Sequence, residues 1–186
     1  MDHLVYLDYK SKELISFTLG TKDIVLRGAT GRKLPYGRVE LGDTLYFCEN
    51  NGDNLVKAQA TVLNVTFTDK LSTEESEKLV DSLKPRILLN EKALKRFRGK
   101  RYLSIIEINN FEEISNFAFD KSSYGNMDDW LLIEDIKNIK WYFHINLMIF
   151  TLYKVKRFHF KWTNSIIKEY LILLTNAKIR PLINII

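Results

Sequence analysis

The sequence predicts an α+β fold. Residues 1–136 form a small β-barrel with flanking helices, and residues 137–186 form a basic, aromatic C-terminal extension that is helical in part. Three observations carry this expectation. Short β-branched and aromatic runs recur between turn signals, with two or three helical stretches interposed. The long run to Phe67 changes phase midway: Val56, Ala58, Ala60 and Val62 alternate, then Leu63, Val65 and Phe67. Such a slip marks a bulge, which bends a sheet toward closure, and small inward alanines suit a narrow barrel. Charge is also split along the chain. Nine of the 28 Lys and Arg residues, but only one of the 23 acids, lie from Lys137 onward, so the tail is about +8 and the rest about −3.

The elements follow in order. His3–Leu7 reads as a first strand, and Asp8 caps a helix over about residues 9–19. Leu14, Ile15 and Leu19 give that helix its apolar face, and Gly20 stops it. A strand over Asp23–Arg27 puts Lys22, Ile24 and Leu26 on one side and Val25 and Arg27 on the other. Thr44–Glu49 is the next strand, closed by the turn residues 50–53. After the long strand, Ser72 and Glu75 have capping-box spacing for a helix that Pro85 ends. Asn90 caps a short basic helix that Gly99 terminates, carrying Lys92, Lys95, Arg96 and Arg98. Tyr102–Ile108 is a strong strand, a weaker run continues to Phe119, and Leu131–Ile136 closes the sheet.

Composition narrows the functional classes. An apolar fraction of 46% supports a true core. The single cysteine, Cys48, forms no internal disulfide, and the N-terminal residues lack a secretory pattern, so a cytoplasmic location is expected. His3, His144 and His159 are scattered and no phosphate-loop fingerprint occurs, so no metal and no cofactor are expected. The apolar run over residues 139–153 is interrupted by Lys140, His144 and Asn146, too polar for a membrane span. Bases and aromatics interleave over Lys154–Trp162, a pattern that binds nucleic acid, binds a membrane surface, or packs one face and solvates the other.

One stretch gathers the candidate chemistry: GTKDIVLRGATGRKLPYGRVELGD, Gly20–Asp43. It resembles the signature of the ASCH family, within the PUA-like superfamily, whose pattern is Gly-x-Lys-x-x-Glu-x-Arg followed by Gly-Asp and a strand. Gly20, Lys22, Arg27 and Gly42-Asp43 match, while Val25 stands at the glutamate position. Pro35-Tyr36-Gly37 resembles the loop of a prokaryotic branch. The likeness extends more weakly through Tyr124-Gly125 and Trp130, covering about residues 3–136.

The resemblance implies a PUA-like barrel with a nucleic-acid-facing cleft. Some ASCH proteins are amidohydrolases on an acylated cytidine, in which a Lys, a Thr and a Glu cooperate. Lys22 matches that lysine, Val25 occupies the threonine position, and Glu74 and Glu75 belong to a helix cap. The expected function is therefore non-catalytic binding of RNA or a nucleotide-like ligand. A hydrolase of modified nucleosides or a ribonuclease using the same cleft is the alternative, and a structural partner-binding protein is a third. Lys22 would contact phosphate, and Arg27 would contact ligand or brace the loop. Arg32, Lys33 and Arg38 would meet the nucleic-acid backbone. Tyr36, Tyr124 and Trp130 are candidates for stacking on a base, against loop packing for Tyr36 and core packing for Trp130.

Overall fold

The computed structural model describes residues 1–122, Tyr124 and 129–140. The expected extension, including its basic aromatic stretch, lies outside the described residues apart from its first few positions. Six strands form one sheet: β1 (Asp2–Leu7), β2 (Ile24–Ala29), β3 (Thr44–Glu49), β4 (Leu55–Phe67), β5 (Tyr102–Ala118) and β6 (Trp130–Ile133). Three helices accompany them: α1 (Glu13–Thr18), α2 (Thr73–Ile87) and α3 (Glu91–Phe97). The spatial order is β2-β5-β4-β3-β1-β6. All neighbours are antiparallel except β1 with β3. The sheet is a half-barrel with β2 and β6 as its edges.

Bulges produce the curvature. The β4–β5 register shifts between Val56 and Ala58, between Gln59 and Thr61, and between Val62 and Asn64. The last coincides with the phase slip in the sequence. Inside the bend, Val5, Leu7, Val25, Leu45, Phe47 and Ala58 pack with Phe17 of α1 and with Trp130. Outside it, Ile24 and Leu26 of β2 pack against Val80 and Ile87 of α2 and Leu94 and Phe97 of α3. The alternation expected for β2 thus holds, with Val25 facing the barrel and its neighbours facing the helices.

Three local expectations change. The first helix is broken: Asp8 caps a short 3-10 turn (Tyr9–Ser11), and Lys12 then adopts a left-handed conformation before α1 begins. That break rotates the helix phase. Glu13 and Phe17 point inward, whereas Ile15 and Leu19 are exposed. Pro85 does not end α2. The helix runs to Ile87 and stops at Leu88, also left-handed, with the Ser72–Glu75 capping box at its start. The two runs before Phe119 are one strand, β5, which passes through Asn110 at a positive φ of 49°.

Candidate functional site

The site lies at the seam between the edge strands. The β1–β6 ladder ends at Val5↔Trp130. One step further, the Tyr6 amide donates to the Asp129 carbonyl at 3.1 Å, but the Tyr6 carbonyl accepts from Arg27 Nη2 at 2.6 Å. Arg27 belongs to β2, so its guanidinium ties that edge strand to the end of β1, just past the last β1–β6 pair. Nη1 donates to the Leu26 carbonyl at 2.8 Å. The guanidinium stands 5.6 Å from the centre of the Trp130 ring, a cation–π distance. Arg27 is only 6% exposed, and its Nε is a buried atom without a hydrogen bond. Asp129 Oδ2 forms an ion pair with it at 3.3 Å without hydrogen-bond geometry.

Two clefts open on this seam. The first, about 270 Å³, is lined by Tyr6, Asp8, Glu13, Arg27, Arg96 and Asp129, among others. The second, about 300 Å³, is lined by Gly28, Leu34 and Lys100 and shares Arg27, Arg96, Phe97 and Asp129 with the first. Gly28 lets the backbone run close to β5: a Cβ there would stand 2.7 Å from Leu103 Cδ2 and 3.3 Å from Lys100 Cβ. The cleft walls carry both signs of charge. Arg96 pairs with Asp8 at 3.2 Å and stands 3.9 Å from Asp129. Lys121 Nζ donates to the Tyr6 hydroxyl at 3.3 Å and lies over its ring.

Lys22 does not reach this space. It is 3% exposed, paired with Glu13 Oε2 at 3.1 Å, and it donates to the Ile87 carbonyl. Burial pushes its amine below the ordinary value, with Glu13 opposing. The phosphate contact expected of Lys22 therefore has no open path, because the gap between α1 and α2 is filled by its own partners. Glu13 is the member of the pair that lines the cleft. Sequence reading missed Glu13, since it expected the helix to be unbroken and gave its inner face to leucine and isoleucine. The carboxylates considered instead, Glu74 and Glu75, are exposed at the start of α2.

The stacking candidates also separate. Trp130 is fully buried, and its Nε1 donates to His3 Nδ1 at 3.1 Å. It supports Arg27 from the core side and offers no face to a ligand. Tyr36 is half-buried, donates to the Thr68 carbonyl at 2.7 Å, and packs on Phe67 and Tyr102. The Arg32 guanidinium covers both tyrosines, at 5.6 Å and 5.4 Å. Tyr124 is half-buried against the cluster of Leu4, Cys48 and Val56. Arg32, Lys33 and Arg38 are exposed, and Leu34 carries their loop to the second cleft.

The matched Gly42-Asp43 pair has a structural role. Gly42 takes a φ of 87°, and Asp43 accepts from the Glu40 amide, the Met1 amine and His3 Nε2. An indole N–H only donates, so His3 Nδ1 must accept and Nε2 must carry the proton. Asp43, His3 and Trp130 form one chain from the loop to the core. Burial acts against the Asp43 carboxylate, yet its hydrogen bonds from the N-terminal amine, His3 and Glu40 hold it below its usual range.

No protein-family model matches this chain, and no curated protein does. Solved structures do. ASCH from Zymomonas mobilis matches with a TM-score of 0.54 at 12% identity, over 74% of this chain and 90% of that one. A single-substitution mutant of the same protein matches with a TM-score of 0.52 at 13% identity, over 74% and 91%. No helix among the described residues is long and apolar enough to cross a membrane. Among the described residues, the half-barrel and its three helices share the α+β fold of that ASCH structure.

Proposed function

We propose that the chain binds RNA or a nucleotide-like ligand at the seam, without chemistry of its own. One observation supports this reading above the others: a buried guanidinium with an unused N–H stands at the junction of two contiguous clefts, beside exposed Arg96. Guanidinium groups match phosphate geometry, and a groove of this kind can follow a strand backbone. Arg96 and Lys121 join Arg27 in the first cleft, Lys100 in the second, and Arg32, Lys33 and Arg38 extend the cationic set along the loop. Tyr124 is kept as a base-stacking candidate. Lys22 and Trp130 act from behind, by holding Glu13 and Arg27.

Fluorescence anisotropy with a labelled octaribonucleotide, over a salt series, tests this. Binding should weaken with salt, and the charge reversals Arg96→Glu and Lys121→Glu should weaken it at least tenfold. Equal affinity in both variants would remove the seam as the binding site. The hydrolase reading is favoured by the Glu13–Lys22 pair, which presents a carboxylate to the cleft with an amine behind it. Mass spectrometry of modified nucleosides, and gels of RNA, after incubation with the protein would reveal turnover. Its loss in Glu13→Gln would establish the enzyme.

A further inference from the structure

Asp129 is badly placed to be a structural partner of Arg27. Its side chain is 46% exposed, it meets Arg27 Nε at 3.3 Å without hydrogen-bond geometry, and it meets Arg96 Nη2 at only 3.9 Å. Asp8, the other carboxylate on Arg96, is anchored, because its Oδ1 caps the Tyr9–Ser11 turn through the Lys10 and Ser11 amides. Two guanidinium groups from different elements, β2 and the end of α3, therefore converge on one loosely held carboxylate. Carboxylate offers two coplanar oxygens. A phosphate offers a tetrahedral set that reaches two non-coplanar guanidinium groups with straighter N–H···O bonds.

We propose that the Arg27–Arg96 junction is the seat for one phosphate group of the ligand, and that Asp129 is a built-in competitor for it. The inference rests on the seam being the binding site. A phosphate entering the junction takes the Arg27 Nε and Arg96 Nη2 donors, and the Asp129 carboxylate turns to water. The shared chemistry is a phosphate oxygen set, supplied either by an internal phosphodiester or by the terminal phosphate of a free nucleotide.

The test uses the full chain and four proteins: the parent, Asp129→Asn, Arg96→Gln and the double variant. Thermal melts confirm that each is folded. Arg27 is left intact because its removal opens the core. The probe is a labelled octaribonucleotide, with cytidine 5′-monophosphate and inorganic pyrophosphate as competitors. Asp129→Asn should tighten oligonucleotide binding several-fold, up to about fivefold, the size of one exposed ion pair. In the Arg96→Gln background the same change should shift affinity less than twofold. Competition by the mononucleotide assigns the seat to a terminal phosphate, and competition by oligonucleotide alone assigns it to a phosphodiester. Equal tightening in both backgrounds would show a general charge effect and overturn the proposal, as would unchanged affinity in Asp129→Asn. Salt-sensitive RNA binding that ignores Asp129 sinks this inference alone. Absence of binding to RNA, mononucleotide and pyrophosphate in all four proteins sinks the seam reading with it.

Discussion

Two groups of cations come from one stretch of sequence and meet opposite fates. Lys22 and Arg27 are buried: Lys22 is held by Glu13 and the Ile87 carbonyl, and Arg27 by the Leu26 and Tyr6 carbonyls, with only its Nε left without a hydrogen bond. Arg32, Lys33 and Arg38, a few residues later, are exposed on a loop that touches the rim of the second cleft through Leu34. A motif that looks uniformly basic thus contains structural cations that hold a half-barrel together and solvated cations available to a partner. The difference lies in what surrounds each charge. An ion taken out of water must find fixed partners, whereas one left in water needs none.

The contrast can be broken most severely at the buried pair. Lys22→Ala leaves Glu13 buried without its partner and should cost about 3–5 kcal/mol in urea unfolding. The double change Glu13→Leu with Lys22→Met should recover most of that loss, because an apolar pair of similar volume needs no compensation. A double variant as unstable as the single one would mean that the pair does more than neutralise itself.

A smaller effect is expected at the chain behind Arg27. Burial lowers the pKa of His3, against the pull of Asp43. A histidine depressed in the folded state contributes fully above its unfolded value of about 6.5 and loses that contribution as pH falls below it. Protonation would also cost the Trp130 N–H its acceptor. Stability should therefore drop, by at most about 1.4 kcal/mol per pH unit, as pH falls below about 6.5. Asp43, also depressed, loses its own contribution only at lower pH, and the raised N-terminal amine loses its contribution at higher pH. Chemical unfolding across this range should show a flatter slope in His3→Gln.

The exposed set should respond least. Lys33→Ala and Arg38→Ala should each change stability by no more than about 0.5 kcal/mol. Their mark should be kinetic and ionic: the slope of log affinity against log salt for single-stranded RNA should fall by about 0.7 for each phosphate contact removed. Variants that lower stability by more than this would move the loop into the structural group.

Much of the architecture was legible because it is written in local chemistry. The capping box at Ser72, the Asn90 cap, the turn after Glu49 and the phase slip in β4 each act within a few residues, so the sequence determined them. So did the inward and outward faces of β2. Tertiary structure alone decided which ionisable groups share the seam. Glu13 turns inward because Lys12 breaks the helix, Lys22 is covered because α2 runs past Pro85 to deliver the Ile87 carbonyl, and Trp130 reaches His3 from the neighbouring edge strand, some 127 residues on in sequence. Asp129 meets Arg27 from about 100 residues away in sequence, and Arg96 joins the same clefts from about 70. No periodicity reports such encounters, because burial and pairing are set by what the fold lays beside a side chain and not by the residues that flank it.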